Sequence, residues 1–243
     1  MNLIIGRKPV LEALNSNTVI DNVFILYGQQ GGIIEVIRIA AKKRGIKCSL
    51  VDQAKFSSIT TNTNTQGVVA VRTEQKFSSM EEILSKCKQK KLPLILILDS
   101  IQDTHNFGAI LRTAECAGVD GVIFSKHNNA PINETVVKTS AGAVSHIKLV
   151  QVSNIIPTIE ELKKNGFWIV GSSLQDSKEI YDVDYNSPIA LVVGNEEKGI
   201  RKLVLEKCDF LVRIPMLGSI GSLNVSVASG IILFEINRQR KQS

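Results

Sequence analysis

The feature that most constrains the fold is an alternation of continuous apolar runs and helical patterns along residues 93–243. Runs of strand length occur at 92–98, 119–124, 147–152, 168–171, 189–194 and 210–214. Patterns typical of helices lie between most of them, at 106–117, 132–143, 156–165 and 222–239. Strands buried on both faces and separated by helices are typical of βα units. The sequence therefore predicts an α/β domain with a mainly parallel sheet.

The loop after the first of these strands carries the first candidate site. It leads from Asp99 into a helix with the sequence D-S-I-Q-D-T-H-N-F-G-A-I-L-R, in which Asn106 is predicted to cap the helix. Gly108, Arg112 and Glu115 then share one helical face. A glycine one turn before an arginine leaves space for a phosphate or ribose, which a guanidinium holds well. The alternative is a surface pair between Arg112 and Glu115.

Two further polar segments follow predicted strands. Residues 194–199 read G-N-E-E-K-G, and the two glycines predict either close approach of backbone to a ligand or an ordinary left-handed turn. Residues 214–228 read I-P-M-L-G-S-I-G-S-L-N-V-S-V-A, in which Ser222 or Asn224 either contacts a ligand or caps the next helix. No G-x-G-x-x-G occurs in the chain, which argues against a Rossmann-type dinucleotide site.

In order and spacing, the three segments together resemble the motifs of the SpoU/TrmH family of SPOUT methyltransferases. The resemblance covers residues 93–243, and residues 6–14 and 66–70 are similar to the family's substrate-binding domain. One departure is Thr104, where members of the family commonly have proline. Proline would stiffen the approach to Asn106.

This resemblance implies a parallel α/β sheet with a C-terminal trefoil knot, preceded by a small α/β substrate-binding domain. It also implies transfer of a methyl group from S-adenosylmethionine to a ribose 2′-hydroxyl in RNA. The closest branch of the family methylates guanosine in 23S ribosomal RNA, and such enzymes are homodimers. The alternatives are a tRNA ribose methyltransferase and a non-catalytic RNA-binding factor for ribosome assembly.

The residues that match the family's motifs supply the predicted site. The catalytic group consists of Asn106, Arg112, Glu196, Ser222 and Asn224. The residues predicted to hold the cofactor are Gly171, Ser172, Gly194, Ile214, Met216, Leu223 and Asn224. The resemblance implies that Arg112 acts as the base. Because arginine stays protonated at ordinary pH, a phosphate clamp that orients the nucleotide is an equally consistent role. No metal-ligand spacing is present, so no metal site is predicted.

The distribution of charge predicts where RNA is captured. Residues 1–92 contain 14 basic and 7 acidic residues, whereas residues 93–243 contain 15 basic and 16 acidic residues. We therefore predict an RNA-binding domain over 1–72, a linker over the polar stretch 73–92 and a catalytic domain over 93–243. The residues predicted to contact RNA are Arg7, Lys42, Lys43 and Arg44.

Three absences in the sequence predict the compartment. The four cysteines form no C-x-x-C pair, which argues against disulfides. No signal-peptide pattern is present at the N-terminus, and no apolar run has the length of a membrane span. We expect a cytoplasmic protein.

Overall fold

A computed structural model of the chain describes residues 2–16, 18–72 and 77–241. The chain divides into two compact units, Met1–Gln75 and Lys76–Ser243. Each unit contains its own sheet and its own buried core.

The first unit is a four-stranded mixed sheet with the strand order β1-β4-β2-β3. Strands β2 and β3 are parallel, and β4 runs antiparallel to both of its neighbours. This mixed arrangement agrees with the small α/β domain that the family resemblance implied. Their bounds are β1 Asn2–Ile5, α1 Arg7–Asn15, β2 Ile20–Leu26, α2 Gly32–Lys43, β3 Lys47–Val51, α3 Gln53–Ile59 and β4 Val68–Arg72.

The second unit is a seven-stranded sheet in the order β7-β6-β5-β10-β8-β11-β9, and every pair of neighbouring strands is parallel. The predicted α/β class and parallel sheet are confirmed, and the trefoil knot stays a prediction. The strands are β5 Leu94–Asp99, β6 Gly121–Ser125, β7 Leu149–Val152, β8 Trp168–Ser172, β9 Lys178–Glu179, β10 Ile189–Gly194 and β11 Phe210–Arg213. The helices are α4 Met80–Cys87, α5 Thr104–Cys116, α6 Glu134–Thr139, α7 Ile155–Lys164, α8 Lys202–Leu205 and α9 Val225–Lys241, and a short 3₁₀ turn spans Ala143–Ser145.

Alternate side chains of the central strands enter two cores on opposite faces of this sheet. Leu96 and Leu98 of β5 pack into the core covered by α5, α6 and α9. Ile95 and Ile97 pack into the core covered by α4, α7 and α8. Burial on both faces explains why these strands are continuous apolar runs rather than alternating ones.

The predicted linker over 73–92 is largely wrong. Residues 73–76 lie outside the described residues, but Ile83, Leu84 and Cys87 of α4 are buried in the core of the second unit. A capping box between Ser79 and Glu82 begins that helix. The polar composition of this stretch belongs to its exposed face, since an amphipathic helix buries only one side.

The new boundary also changes the charge argument. Residues 1–75 carry 9 basic and 5 acidic residues, and residues 76–243 carry 20 basic and 18 acidic residues. The net charges are thus +4 and +2 rather than +7 and −1. Lys86 and Lys90, counted earlier with the first unit, lie 3.6 and 2.5 Å from the buried carboxylate of Asp120 in the second. No helix in the described ranges has the length and apolarity needed to cross a membrane.

Candidate active site

The candidate site lies at the carboxyl edge of the seven-stranded sheet. Strands β5, β10, β8 and β11 are consecutive neighbours and parallel, so the segments that follow them meet at one edge. These segments are residues 100–106 after β5, 195–199 after β10 and 214–224 after β11. They are the three segments that the sequence singled out.

Three of the predicted catalytic residues form a connected polar cluster at this edge. The amide nitrogen Nδ2 of Asn106 donates to Oε1 of Glu196 at 2.8 Å. The Oδ1 atom of Asn106 accepts from Nδ2 of Asn224 at 2.9 Å. Asn195 donates to the other carboxylate oxygen of Glu196 at 3.2 Å. Because a carboxylate only accepts hydrogen bonds, the orientation of the Asn106 amide is fixed.

The residue that caps α5 is Asp103 and not Asn106, as the sequence had predicted. Asp103 has extended backbone, and its carboxylate accepts from the backbone N–H of Asn106 at 2.7 Å. Asn106 lies within the first turn of the helix, so its side chain is free to reach Glu196 and Asn224. The cap therefore fixes the place of Asn106 instead of occupying its amide.

Asn224 combines the two roles that the sequence left open. Its Oδ1 atom accepts from the backbone N–H of Ser226 at 2.9 Å, which caps the start of α9. Its Nδ2 atom donates to Asn106. Ser222, two residues earlier, is exposed and has no hydrogen bond to another described residue.

The loop that carries Glu196 is a closed turn. Asn195 and Gly199 exchange backbone hydrogen bonds at 2.9 Å, and Gly199 has a left-handed φ of 67°. A side chain at Gly194 would collide with the backbone of Gly199 and Ile200. The close approach that Gly194 permits is therefore to its own loop, which corrects the expectation of direct approach to a ligand. Its place among the predicted cofactor residues stays a prediction.

Gly108 does not clear space beside Arg112. It is buried, and a side chain there would meet Thr139 of α6 and, at 2.9 Å, the carbonyl oxygen of Val136. Glycine at this position lets α5 and α6 pack closely. Arg112 is exposed and pairs with no residue in the described ranges, so the predicted alternative of a pair with Glu115 is not formed. The structure does not bring Arg112 into the Asn106 cluster.

The predicted cofactor residues lie at the ends of two adjacent strands, β10 and β8, and in the segment that follows their neighbour β11. Gly171 is buried against Cys208 and Leu211, where a side chain would not fit. Residues 217–224 are exposed, and residues 216–223 make no hydrogen bond with any other described residue. Free main-chain donors and acceptors beside a polar cluster suit a nucleoside-like ligand. The set Gly171, Ser172, Gly194, Ile214, Met216, Leu223 and Asn224 thus lies along one stretch of the sheet edge.

A cavity of about 540 Å³ adjoins the cluster and shares Asn106 and Glu196 with it. Its other walls include Ser100, Asn128 and Arg201, which the sequence analysis did not select. Ser100 and Asn128 have φ angles of 66° and 65°. Left-handed backbone at residues other than glycine is uncommon and concentrates at functional sites. Nothing in the local sequence revealed these conformations.

The thiols near the sheet are not nucleophiles. Burial raises the pKa of Cys208 to about 12 and that of Cys87 to about 11. Thiols with such pKa values are protonated at neutral pH. Across residues 2–16, 18–72 and 77–241, no group of three or more His, Cys, Asp or Glu side chains is arranged to hold a metal ion.

The predicted RNA-binding arginines of the first unit have structural contacts. Arg44 donates to the backbone oxygens of Ala13, Leu14, Ser16 and Thr18 at 2.7–3.0 Å, which ties the end of α1 to α2. Arg7 donates to the carbonyl of Gln66 at 3.0 Å and to the Gln29 side chain at 2.5 Å. Lys42 and Lys43 are exposed. Of the four predicted residues, the two lysines have the accessible charges.

Comparisons with known proteins agree with this geometry. Residues 93–234 match the SpoU rRNA methylase family, and residues 3–78 match a domain described as RNA 2′-O ribose methyltransferase substrate binding. A protein of Bacillus subtilis assigned to the TrmH family of tRNA/rRNA methyltransferases is 36% identical over 98% of this chain and 95% of its own length. One from Staphylococcus saprophyticus with the same assignment is 39% identical over 98% of this chain and 96% of its own.

Solved structures share the architecture. An rRNA methyltransferase of Sinorhizobium meliloti with bound AdoMet is 30% identical, with a TM-score of 0.64 over 97% of this chain and 86% of that one. The SpoU methyltransferase AviRb of Streptomyces viridochromogenes, in complex with AdoMet, is 22% identical and supports the fold alone, with a TM-score of 0.65 over 99% of this chain and 91% of that one.

Proposed function

Since this chain belongs to the SpoU rRNA methylase family and is an RNA 2′-O-ribose methyltransferase, we propose that its substrate is 23S ribosomal RNA. The methyl group would be transferred to the ribose 2′-hydroxyl of a guanosine. The methyl donor is S-adenosylmethionine, the ligand named AdoMet in the similar structure from Sinorhizobium meliloti. A ribosomal RNA substrate would place the enzyme in the cytoplasm. The choice of ribosomal over transfer RNA rests on the separate N-terminal unit and its similarity to the ribosomal-RNA branch.

The observation that carries the enzymatic proposal is the hydrogen-bonded set Glu196–Asn106–Asn224. Its members come from three segments that are far apart in sequence and meet at the carboxyl edge of the sheet. A protein that only binds RNA has no need for an amide whose donor and acceptor are both fixed. The cluster therefore favours catalysis over the alternative of a non-catalytic assembly factor.

The chemistry requires a hydroxyl to be positioned and deprotonated. The cofactor, when bound, supplies a methyl group on a positively charged sulfonium. A ribose 2′-hydroxyl is a poor nucleophile, so alignment and removal of its proton are the available means of acceleration. Glu196, Asn106 and Asn224 would orient the ribose, and Ser222 is exposed two residues from Asn224. Free backbone groups over 216–223 would hold the cofactor, together with the residues that follow β8 and β10.

Arg112 would act in an assembled dimer. Helices α5 and α9 run side by side in the same direction, since Asn106 meets Asn224, and farther along Asn237 donates to the carbonyl of Ala117 at 2.7 Å. Arg112 is exposed on α5, and α5 lies beside α9.

An apolar stripe on α9 supports the homodimer. Val227, Ile231 and Phe234 are 49%, 36% and 52% exposed, and their spacing places them on one side of the helix. A second copy of the chain docked on this stripe would cover it, and would bring groups of the partner subunit toward Arg112. With such a partner, Arg112 would serve either as the base or as the phosphate clamp.

RNA capture by the first unit is assigned to Lys42 and Lys43, whose charges are accessible. Arg7 and Arg44 hold the fold of that unit through backbone carbonyls and would contribute to RNA binding through their long-range charge. The unit carries a net charge of +4, which favours association with a polyanion.

Mapping ribose methylation in total RNA tests the proposal. RNA from cells with and without the gene is compared by a method that reads every 2′-O-methylated position. The proposal expects one guanosine of 23S ribosomal RNA to lose its methyl group without the gene. Loss at a tRNA position would reassign the substrate, and an unchanged map together with no transfer to RNA in vitro would favour the assembly factor.

A further inference from the structure

Arg201 is the best-oriented cation beside the candidate site. Its backbone N–H donates to Oδ2 of Asp99 at 2.8 Å, and its Nε donates to Oδ1 of the same carboxylate at 2.7 Å. Asp99 ends β5, an interior strand of the sheet, and is fully buried. Two bonds to a buried carboxylate on a rigid strand fix the direction of the guanidinium.

The outer end of this guanidinium is unused. The Arg201 side chain is 45% exposed, and its two terminal nitrogens have no partner in the described part of the chain. Arg201 lines the 540 Å³ cavity whose wall also contains Asn106 and Glu196. The anchored arginine and the proposed catalytic cluster therefore face the same space.

We propose that Arg201 binds a phosphodiester of the substrate RNA next to the methylated ribose, and that Asp99 is the residue that positions it. The inference rests on the proposed function and assigns a substrate contact within it. A guanidinium whose Nε is held by a carboxylate still presents its two terminal NH₂ groups, which can each donate to a phosphate oxygen. The carboxylate of Asp99 accepts from the backbone N–H and from Nε, so neither of its bonds occupies a terminal nitrogen.

The cavity is suited to a nucleotide rather than to a phosphate alone. Its walls are amide, hydroxyl, carboxylate and cationic side chains from the loops at 100–106, 128 and 195–201. The strained backbone of Ser100 and Asn128 shapes two of these loops. A nucleoside would be surrounded by polar groups while its phosphate contacts Arg201.

Steady-state kinetics of the full chain test this contact, with 23S ribosomal RNA transcribed in vitro and radiolabelled S-adenosylmethionine. We expect Arg201→Ala to raise the KM for RNA about ten- to hundredfold, the usual effect of losing a charged hydrogen bond. The kcat should change less than about threefold, and the affinity for S-adenosylmethionine should stay the same. Lys202→Ala is the matched control, because it removes the same charge one residue away and outside the cavity.

A double-mutant cycle tests the positioning role of Asp99. Asp99→Asn should raise the KM for RNA, and adding Arg201→Ala should raise it little further, because both changes disable one contact. An unchanged KM in Arg201→Ala would overturn the proposal. So would a loss of cofactor affinity in Arg201→Ala with no change in the KM for RNA, which would assign Arg201 to cofactor binding instead.

The experiment distinguishes a failure of the proposed function from a failure of the Arg201 contact. Absence of methyl transfer to this transcript by the unaltered protein would contradict the ribosomal RNA substrate and leave no KM to compare. In that case the same variants are measured for binding to the transcript by filter retention. Equal affinity of Arg201→Ala and the unaltered protein in that assay would overturn the Arg201 contact by itself.

Discussion

Asn106 and Glu196 are 90 residues apart in the chain, yet the side-chain nitrogen of Asn106 lies 2.8 Å from the carboxylate of Glu196. Asn106 also accepts a hydrogen bond from Asn224, so its amide has a donor side and an acceptor side with different partners. The two sides cannot be exchanged without placing the amide oxygen against a carboxylate. This fixed polarity makes the cluster testable.

Asn106→Asp should lower kcat about ten- to hundredfold, because it places a second carboxylate against Glu196. Adding Glu196→Gln should recover at least about tenfold of that loss, since glutamine can donate to the new aspartate. Methyl transfer is measured under saturating RNA and cofactor. Glu206→Gln, an exposed change outside the site, is the control. Equal activity of the single and double variants would show that the hydrogen bond between residues 106 and 196 does not contribute to catalysis.

Arg112→Ala should lower methyl transfer by at least about a hundredfold and leave RNA affinity nearly unchanged, because it removes one contact among many. Arg112→Lys keeps the charge but loses the planar fork, so we expect a comparable loss. The measurement is single-turnover transfer together with a binding assay. Substantial activity in the lysine variant would show that charge suffices and would refute a geometric role.

Thr104→Pro should preserve activity and raise the free energy of unfolding by about 0.4–1 kcal/mol. Thr104 is the first residue of α5, where a helix has no partner for the N–H that proline lacks. Asp103 before it has φ −80° and ψ 126°, an extended conformation that a following proline favours. Denaturant unfolding checks the change. Destabilisation would mean that the loop needs the threonine.

Phe234→Lys should weaken the proposed dimer by placing a charge within its apolar stripe. Sedimentation velocity across a range of concentrations measures the association. Phe234 is half exposed and lies outside the core cluster, so the thermal stability of the subunit should change little. Because Arg112 is proposed to act in the dimer, the rate of methyl transfer should fall as the fraction of dimer falls. A variant that stays dimeric would locate the interface elsewhere, and a monomeric unaltered protein would refute the dimer.

A fragment of residues 77–243 should fold, whereas one of residues 93–243 should be much less stable. The shorter fragment lacks α4 and so loses the burial of Ile83, Leu84 and Cys87. Full burial of one large aliphatic side chain is worth about 1.5–3 kcal/mol. Thermal unfolding followed by circular dichroism compares the two. Equal stability would show that residues 77–92 are a linker after all.

The sequence by itself determined the class of the fold and the edge of the sheet at which the candidate site lies. Most strands and helices of the second unit, but not β9, α4 or α8, follow from the alternation of continuous apolar runs with 3.6-residue periodicity, which depends on local side-chain burial. Parallel strands in turn place the segments at 100–106, 195–199 and 214–224 at one edge. Within these segments, the resemblance to the family's motifs identified Asn106, Glu196 and Asn224 as candidate site residues.

Tertiary structure decided the contacts within that edge. Asp103 rather than Asn106 caps α5, because Asn106 is engaged by residues distant in sequence. The anchoring of Arg201 by Asp99 spans 102 residues and leaves no local pattern. Likewise, α4 looked like a linker because the sheet face that buries its Ile83 is built from other segments. Local patterns show which residues prefer burial, but the partners of polar groups depend on how distant segments meet in space.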